Sequence, residues 1–115
     1  MATRGEVAYI KEDGSILSCY NHYDSYIDGL GKDLLKDWNT EELAKKAVNT
    51  VFGNFSEEDD EDKYEYSSLE AFENWLKESD REFAYLWKDN AWYVLEISWK
   101  TVNRNWKLLS DCINE

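Results

Sequence analysis

Two stretches of this chain carry the residue types best suited to chemistry. The first is Tyr20-Asn21-His22-Tyr23-Asp24-Ser25-Tyr26, followed at once by Asp28-Gly29-Leu30-Gly31-Lys32, and it holds the only histidine. His22 and Asp24 could form an acid–base pair, because a carboxylate fixes an imidazole's tautomer and raises its pKa. Residues two apart rarely meet in that way on a strand, and no G-x-S-x-G or recognisable Cys–His spacing supplies a nucleophile. The plainer role for both is loop-stabilising hydrogen bonding. Gly29 and Gly31 at a helix start, with Lys32 beside them, could present backbone N–H groups to an anion. They lack the full dinucleotide or P-loop pattern, and a tight turn into the helix is the better explanation of them. Since Tyr20, Tyr23 and Tyr26 could stack on a base, the loop as a whole supports a small-ligand hypothesis, with a nucleotide or signalling molecule bound by Tyr20, His22, Tyr23, Asp24, Tyr26, Gly29, Gly31 and Lys32.

The second stretch is the unbroken acidic run Glu57-Glu58-Asp59-Asp60-Glu61-Asp62, extended by Glu65, Glu70, Glu73, Glu78 and Asp80. It lacks the alternating order and distal glutamate of a calcium-binding loop, so no metal site is assigned to it. So many like charges are too self-repelling for a packed core and belong on a solvated loop. Such a surface can also imitate a phosphate backbone and attract the basic cleft of a DNA-processing protein, mostly through association rate and salt-dependent affinity.

Charge distribution reinforces this. The 115 residues carry a net charge of −12, and residues 54–80 hold 2 basic against 11 acidic groups. Such a chain repels bare nucleic acid and anionic lipid and favours a basic partner. No apolar run approaches a membrane span and the start lacks a signal-type apolar segment, so a cytoplasmic setting is expected. Cys19 and Cys112 show no metal or redox spacing and read as reduced core thiols, with no cofactor implied.

The elements that must position these groups follow from pattern. Residues 5–10 and 16–20 read as a hairpin around Glu12-Asp13-Gly14-Ser15. Leu30, Leu34, Leu35 and Trp38 predict a helix over 29–38. Asn39 with Glu42 predicts a capped second helix, apolar along Leu43, Ala44, Ala47, Val48, Val51 and Phe52 and ended by Gly53. Residues 54–66 read as a polar loop, and Ser67 with Glu70 caps a third helix running to about Ser79. A second hairpin pairs 82–87 with 92–99. In its second arm Tyr93, Leu95, Ile97 and Trp99 share one face, the pattern of a half-buried strand. Val102, Trp106, Leu109 and Ile113 predict a C-terminal helix. The fold class is α+β, a single domain over 1–115, with an antiparallel sheet of two hairpins and three to four helices packed on one face. Aromatic rings on both sides of the last strand suggest a homodimer in which a second subunit covers one sheet face.

The segment Tyr20-x-His22-Tyr23-Asp24-x-Tyr26-x-x-Gly29-x-Gly31-Lys32 resembles a family of small phage and prophage proteins with a Tyr/Cys-x-His-Trp-Asp-Gly-Tyr-Pro-x-x-x-Gly signature. Residues 82–94, with Trp92-Tyr93-Val94, are similar to that family's late hairpin. Tyr23 stands where the signature has Trp, Ser25 where it has Gly, and Ile27 where it has Pro. The resemblance implies a phage origin and a host-cytoplasm setting, and it transfers no catalytic residue. Together these features predict a non-enzymatic inhibitor or decoy that binds a basic host protein, such as a defence nuclease, through the acidic surface.

Overall fold

The computed structural model describes residues 4–21, 25–48, 63–79, 81–97 and 106–112. The first hairpin forms as its sequence predicts. β1 (Gly5–Ile10) and β2 (Ile16–Asn21) pair antiparallel, with Ile10 opposite Ile16. Their turn is closed by Gly14 at φ +91°, a conformation that suits glycine. The Asp13 carboxylate accepts from the Ser15 N–H and hydroxyl at 3.0 and 2.6 Å. Those two bonds hold its pKa below the ordinary aspartate value.

A π-helical turn (Ile27–Gly31) leads into α1 (Lys32–Asp37), and α2 (Glu41–Lys46) follows. The N-cap of α2 is Thr40, whose hydroxyl accepts from the Leu43 N–H at 3.1 Å, so the predicted Asn39 cap is one residue early. Ala44, Ala47 and Val48 are buried as predicted, whereas Val51, Phe52 and Gly53 lie outside the described residues. The same one-residue shift recurs in α3 (Leu69–Lys77), where Ser68 rather than Ser67 caps the Ala71 N–H at 3.1 Å.

The remaining strands are β3 (Lys63–Tyr66), β4 (Phe83–Lys88), β5 (Ala91–Glu96) and β6 (Lys107–Leu108), with α4 (Leu109–Cys112) last. β4 and β5 meet in a two-residue turn whose Asp89 and Asn90 have φ of 51° and 62°, the left-handed pair that matches strand twist in tight hairpins.

The α+β class is observed, but the sheet departs from the predicted arrangement in three ways. It is mixed, six strands in the order β3-β2-β1-β4-β5-β6, because β1 and β4 run parallel at its centre. The end of the predicted polar loop is strand, Lys63–Tyr66, paired with β2. Helices also cover both faces rather than one. Val7, Tyr9, Cys19, Tyr85, Trp87, Trp92 and Val94 pack under α1 and α2, while Ala8, Ile16, Ala84, Leu86 and Leu95 pack under Phe72 and Leu76 of α3. The pairings make β3 and β4 run in the same direction, and a parallel return needs a crossover, which α3 provides over the free face. Accordingly β5 is buried on both sides, not half-buried: Trp92 and Val94 face one layer and Leu95 the other. Of the rings on this strand, Trp92 is buried under the chain's own helices and Tyr93 is partly exposed, while Trp99 lies outside the described residues.

The predicted C-terminal helix is also corrected. Residue 106 leads into β6, and only 109–112 are helical. Trp106 stacks on Phe72 with ring centroids 6.3 Å apart, while Leu109 is buried in the opposite layer, so two residues at helical spacing serve different faces. Val102 and Ile113 lie outside the described residues.

Candidate functional site

The base of the 20–31 loop is held by side-chain hydrogen bonds where β2 ends. The Asn21 side-chain amide donates to Ser25 Oγ at 2.8 Å, and Ser25 Oγ donates to the Asn21 carbonyl at 3.1 Å. From beneath, the Tyr85 hydroxyl donates to the Ser25 carbonyl at 2.6 Å. Burial pushes the Tyr85 phenol far above its ordinary pKa, and the nearby Glu96 carboxylate adds to the shift. Gly5 leaves room for this anchor: a Cβ there would stand 2.7 Å from Ser25 Cβ. His22, Tyr23 and Asp24 lie outside the described residues.

On the described side of the loop, the N–H groups of Gly29 and Gly31 both donate to the Tyr26 carbonyl, at 3.0 and 3.5 Å. They are committed inside the π-helical turn rather than turned outward toward an anion. Lys32 is exposed and sits 3.9 Å from Asp28. Tyr26 is the large apolar side chain that stands exposed among the described residues, at 43%.

Tyr20 is engaged in a cluster that the sequence reading missed. Glu6 on β1 is fully buried, facing the α3 layer. Its Oε1 accepts from the Ser18 hydroxyl at 2.9 Å, and its Oε2 lies 2.8 Å from Arg81 Nε. The Arg81 guanidinium is held between two rings, 4.1 Å from the Tyr20 centroid and 5.1 Å from that of Trp75. Ordered in this way, the cation satisfies a buried carboxylate and fixes the exit of α3 against the sheet. The available signal was one acidic residue inside an apolar strand, with Ser18 on the same face of the partner strand; nothing local points to Arg81.

Of the predicted acidic partner surface, Glu65, Glu70 and Glu73 lie among the described residues. Glu57, Glu58, Asp59, Asp60, Glu61 and Asp62 lie outside the described residues. Glu65 sits opposite Leu17, hence on the α1–α2 side of the sheet, and pairs with Lys11 Nζ at 2.8 Å. That hydrogen bond raises the Lys11 pKa. Glu70 is exposed on the first turn of α3, on the opposite side, and Glu73 accepts from Trp106 Nε1 at 2.7 Å. Glu65 therefore does not share a face with Glu70 and Glu73.

Among the described residues no helix is long and apolar enough to cross a membrane, and no three His, Cys, Asp or Glu side chains gather as a metal site. Comparison with protein-family models, curated proteins and solved structures finds no match to this chain. Its chemistry is accordingly read from its own residues.

Proposed function

We propose that this chain is a non-enzymatic binding protein that engages a basic protein through its acidic exterior, acting as an inhibitor or decoy. The supporting observation is that every described carboxylate except Glu6 and Glu73 is exposed, on a chain of net charge −12. A field of that sign steers a cationic surface into contact and suppresses encounters with nucleic acid and anionic lipid. A DNA-processing enzyme of an infected host is the partner type that combines a basic cleft with the phage-like resemblance of residues 20–32 and 82–94.

The test is capture of basic proteins from bacterial lysate on the immobilised chain, with a salt titration and competition by duplex DNA. Retention should fall steeply with salt, fall again when Glu57–Asp62 are converted to their amides, and be reversed by DNA. Retention indifferent to both salt and charge neutralisation overturns the electrostatic mechanism.

A further inference from the structure

β3 closes one side of the sheet, and among the described residues no strand lies beyond it. The direction of its backbone groups follows from the ladder. The Lys11 N–H donates to the Ser15 carbonyl at 2.7 Å, and with Ile10 opposite Ile16 this makes Tyr9–Leu17 and Val7–Cys19 the pairs that exchange hydrogen bonds across β1 and β2. Ile16 and Ser18 then turn their backbone groups toward β3, where Tyr66 and Tyr64 stand opposite them. Lys63 and Glu65, the alternate residues, therefore point their N–H and C=O groups away from the sheet. We propose that this edge takes an extended, lysine- or arginine-rich segment of a partner protein as an added strand. The proposal rests on the acidic-surface reading above and names the contact through which it acts.

An open edge is a template for another strand, because each outward N–H and C=O gains a hydrogen bond when a chain is added. The opposite edge, β6, is 2 residues long and offers far less. The sign of the partner follows from the chain that leads into β3. Every residue of Glu57–Asp62, joined directly to its start, is acidic, and chain length alone keeps each of them within about 20 Å of the strand. The Glu65 carboxylate is already held by Lys11 at 2.8 Å, so it is this run that favours a cation. A second copy of the chain is a poor occupant, since pairing β3 with itself brings two such runs together, and charge on a short edge strand is a common defence against self-pairing. The two faces of an added strand meet different surroundings. On the α3 side they meet Tyr66, which packs on Phe72 and Trp75 with ring centroids 5.0 and 5.6 Å away, and on the other side they meet solvent beside the exposed Glu65. A segment that alternates basic and β-branched residues fits both.

The test is a ¹H–¹⁵N chemical-shift titration of the full chain with the peptide acetyl-Lys-Val-Lys-Val-Lys-Val-Lys-amide. The control is the same peptide N-methylated throughout, which keeps the charge but donates no backbone hydrogen bond. The first should give saturable shifts at residues 16–18 and 63–66, and the second none. Glu65→Pro removes an outward N–H at a position an edge strand tolerates and should weaken binding about tenfold. Glu65→Gln, which loses the same carboxylate but keeps the N–H, should bind within about twofold of the parent. Equal response to the two peptides, or equal affinity of the two Glu65 variants, overturns strand addition and leaves charge attraction alone. Concentration-dependent shifts at residues 63–66 without peptide make a second copy the occupant and overturn it as well. Absence of shifts with salt-sensitive capture from lysate overturns this edge while leaving the acidic-surface reading in place; absence of shifts with salt-indifferent capture overturns both.

Discussion

Replacing one member of the Glu6–Arg81 pair should cost far more stability than replacing the pair together. Glu6 is fully buried and the Arg81 side chain is 14% exposed, with 2.8 Å between the charged atoms. At an effective dielectric near 20 their attraction is about 6 kcal/mol, and it is opposed by a desolvation cost of several kcal/mol for each ion. The two nearly cancel, so the intact pair adds little compared with an apolar contact. Glu6→Met alone, however, strands a guanidinium between Tyr20 and Trp75, and Arg81→Met strands a buried carboxylate; each should lose about 3–5 kcal/mol. For a chain of this length that is a fall in Tm of about 12–20 °C. The triple variant Glu6→Met/Ser18→Ala/Arg81→Met removes both charges and the hydroxyl that would otherwise lose its acceptor, and should return to within about 1 kcal/mol of the parent. Urea and thermal unfolding read all three. Single variants within about 1 kcal/mol of the parent, or a triple variant that sums the single losses, would refute the reasoning.

Gly5→Ala should cost about 1–3 kcal/mol by overpacking against Ser25, and Gly5→Ala/Ser25→Gly should recover part of it in the same denaturation assay. Thr40→Ala and Ser68→Ala should each lose about 1 kcal/mol as lost caps, whereas Asn39→Ala and Ser67→Ala should leave the unfolding midpoint unchanged. The buried Tyr85 phenol has its pKa raised in the fold, so its contribution is complete below the ordinary tyrosine value near 10 and is lost as pH rises beyond it, where the unfolded phenol ionises first. Stability measured from pH 8 to 11 should therefore decline at the alkaline end, and Tyr85→Phe, although less stable throughout, should decline less. A profile for Tyr85→Phe parallel to the parent's would sink that assignment.

What the sequence made legible was local. Both hairpins, the stripe Ala44, Ala47 and Val48, and the stripe Phe72 and Leu76 follow from period and punctuation, and each is buried as its spacing requires. Caps slipped by one residue because Asn39-Thr40 and Ser67-Ser68 each offer two neighbouring side chains able to accept the same N–H. The alternation Lys63-Tyr64-Glu65-Tyr66 was hidden by the acidic run beside it, and missing that strand removed the reason for a crossover. Hence the second helical layer went unseen. The sites divide the same way. The loop anchor at Ser25 and the Glu6–Arg81 cluster join residues 60 and 75 positions apart, and no periodicity carries information over that span.

The placement of the acidic groups changes how an electrostatic mechanism could operate. Glu65 lies on the α1–α2 side and Glu70 on the α3 side. Helix layers on the two faces of a sheet stand roughly 20 Å apart, given about 10 Å per packed layer. At physiological salt the screening length is about 8 Å. A partner docked on one face is therefore nearly blind to carboxylates on the other, although a partner still diffusing in responds to the summed field when salt is low. Neutralising Glu70 on α3 and Glu78 at its C-cap should slow association at low ionic strength yet leave the dissociation rate of a partner docked on the α1–α2 side unchanged. Neutralising Glu41 should raise dissociation at all salt concentrations. Stopped-flow rates for the two variant sets separate these roles. If both sets altered only association, neither Glu41 nor the α3-side carboxylates would touch the docked partner, and their charge would act solely as a long-range field.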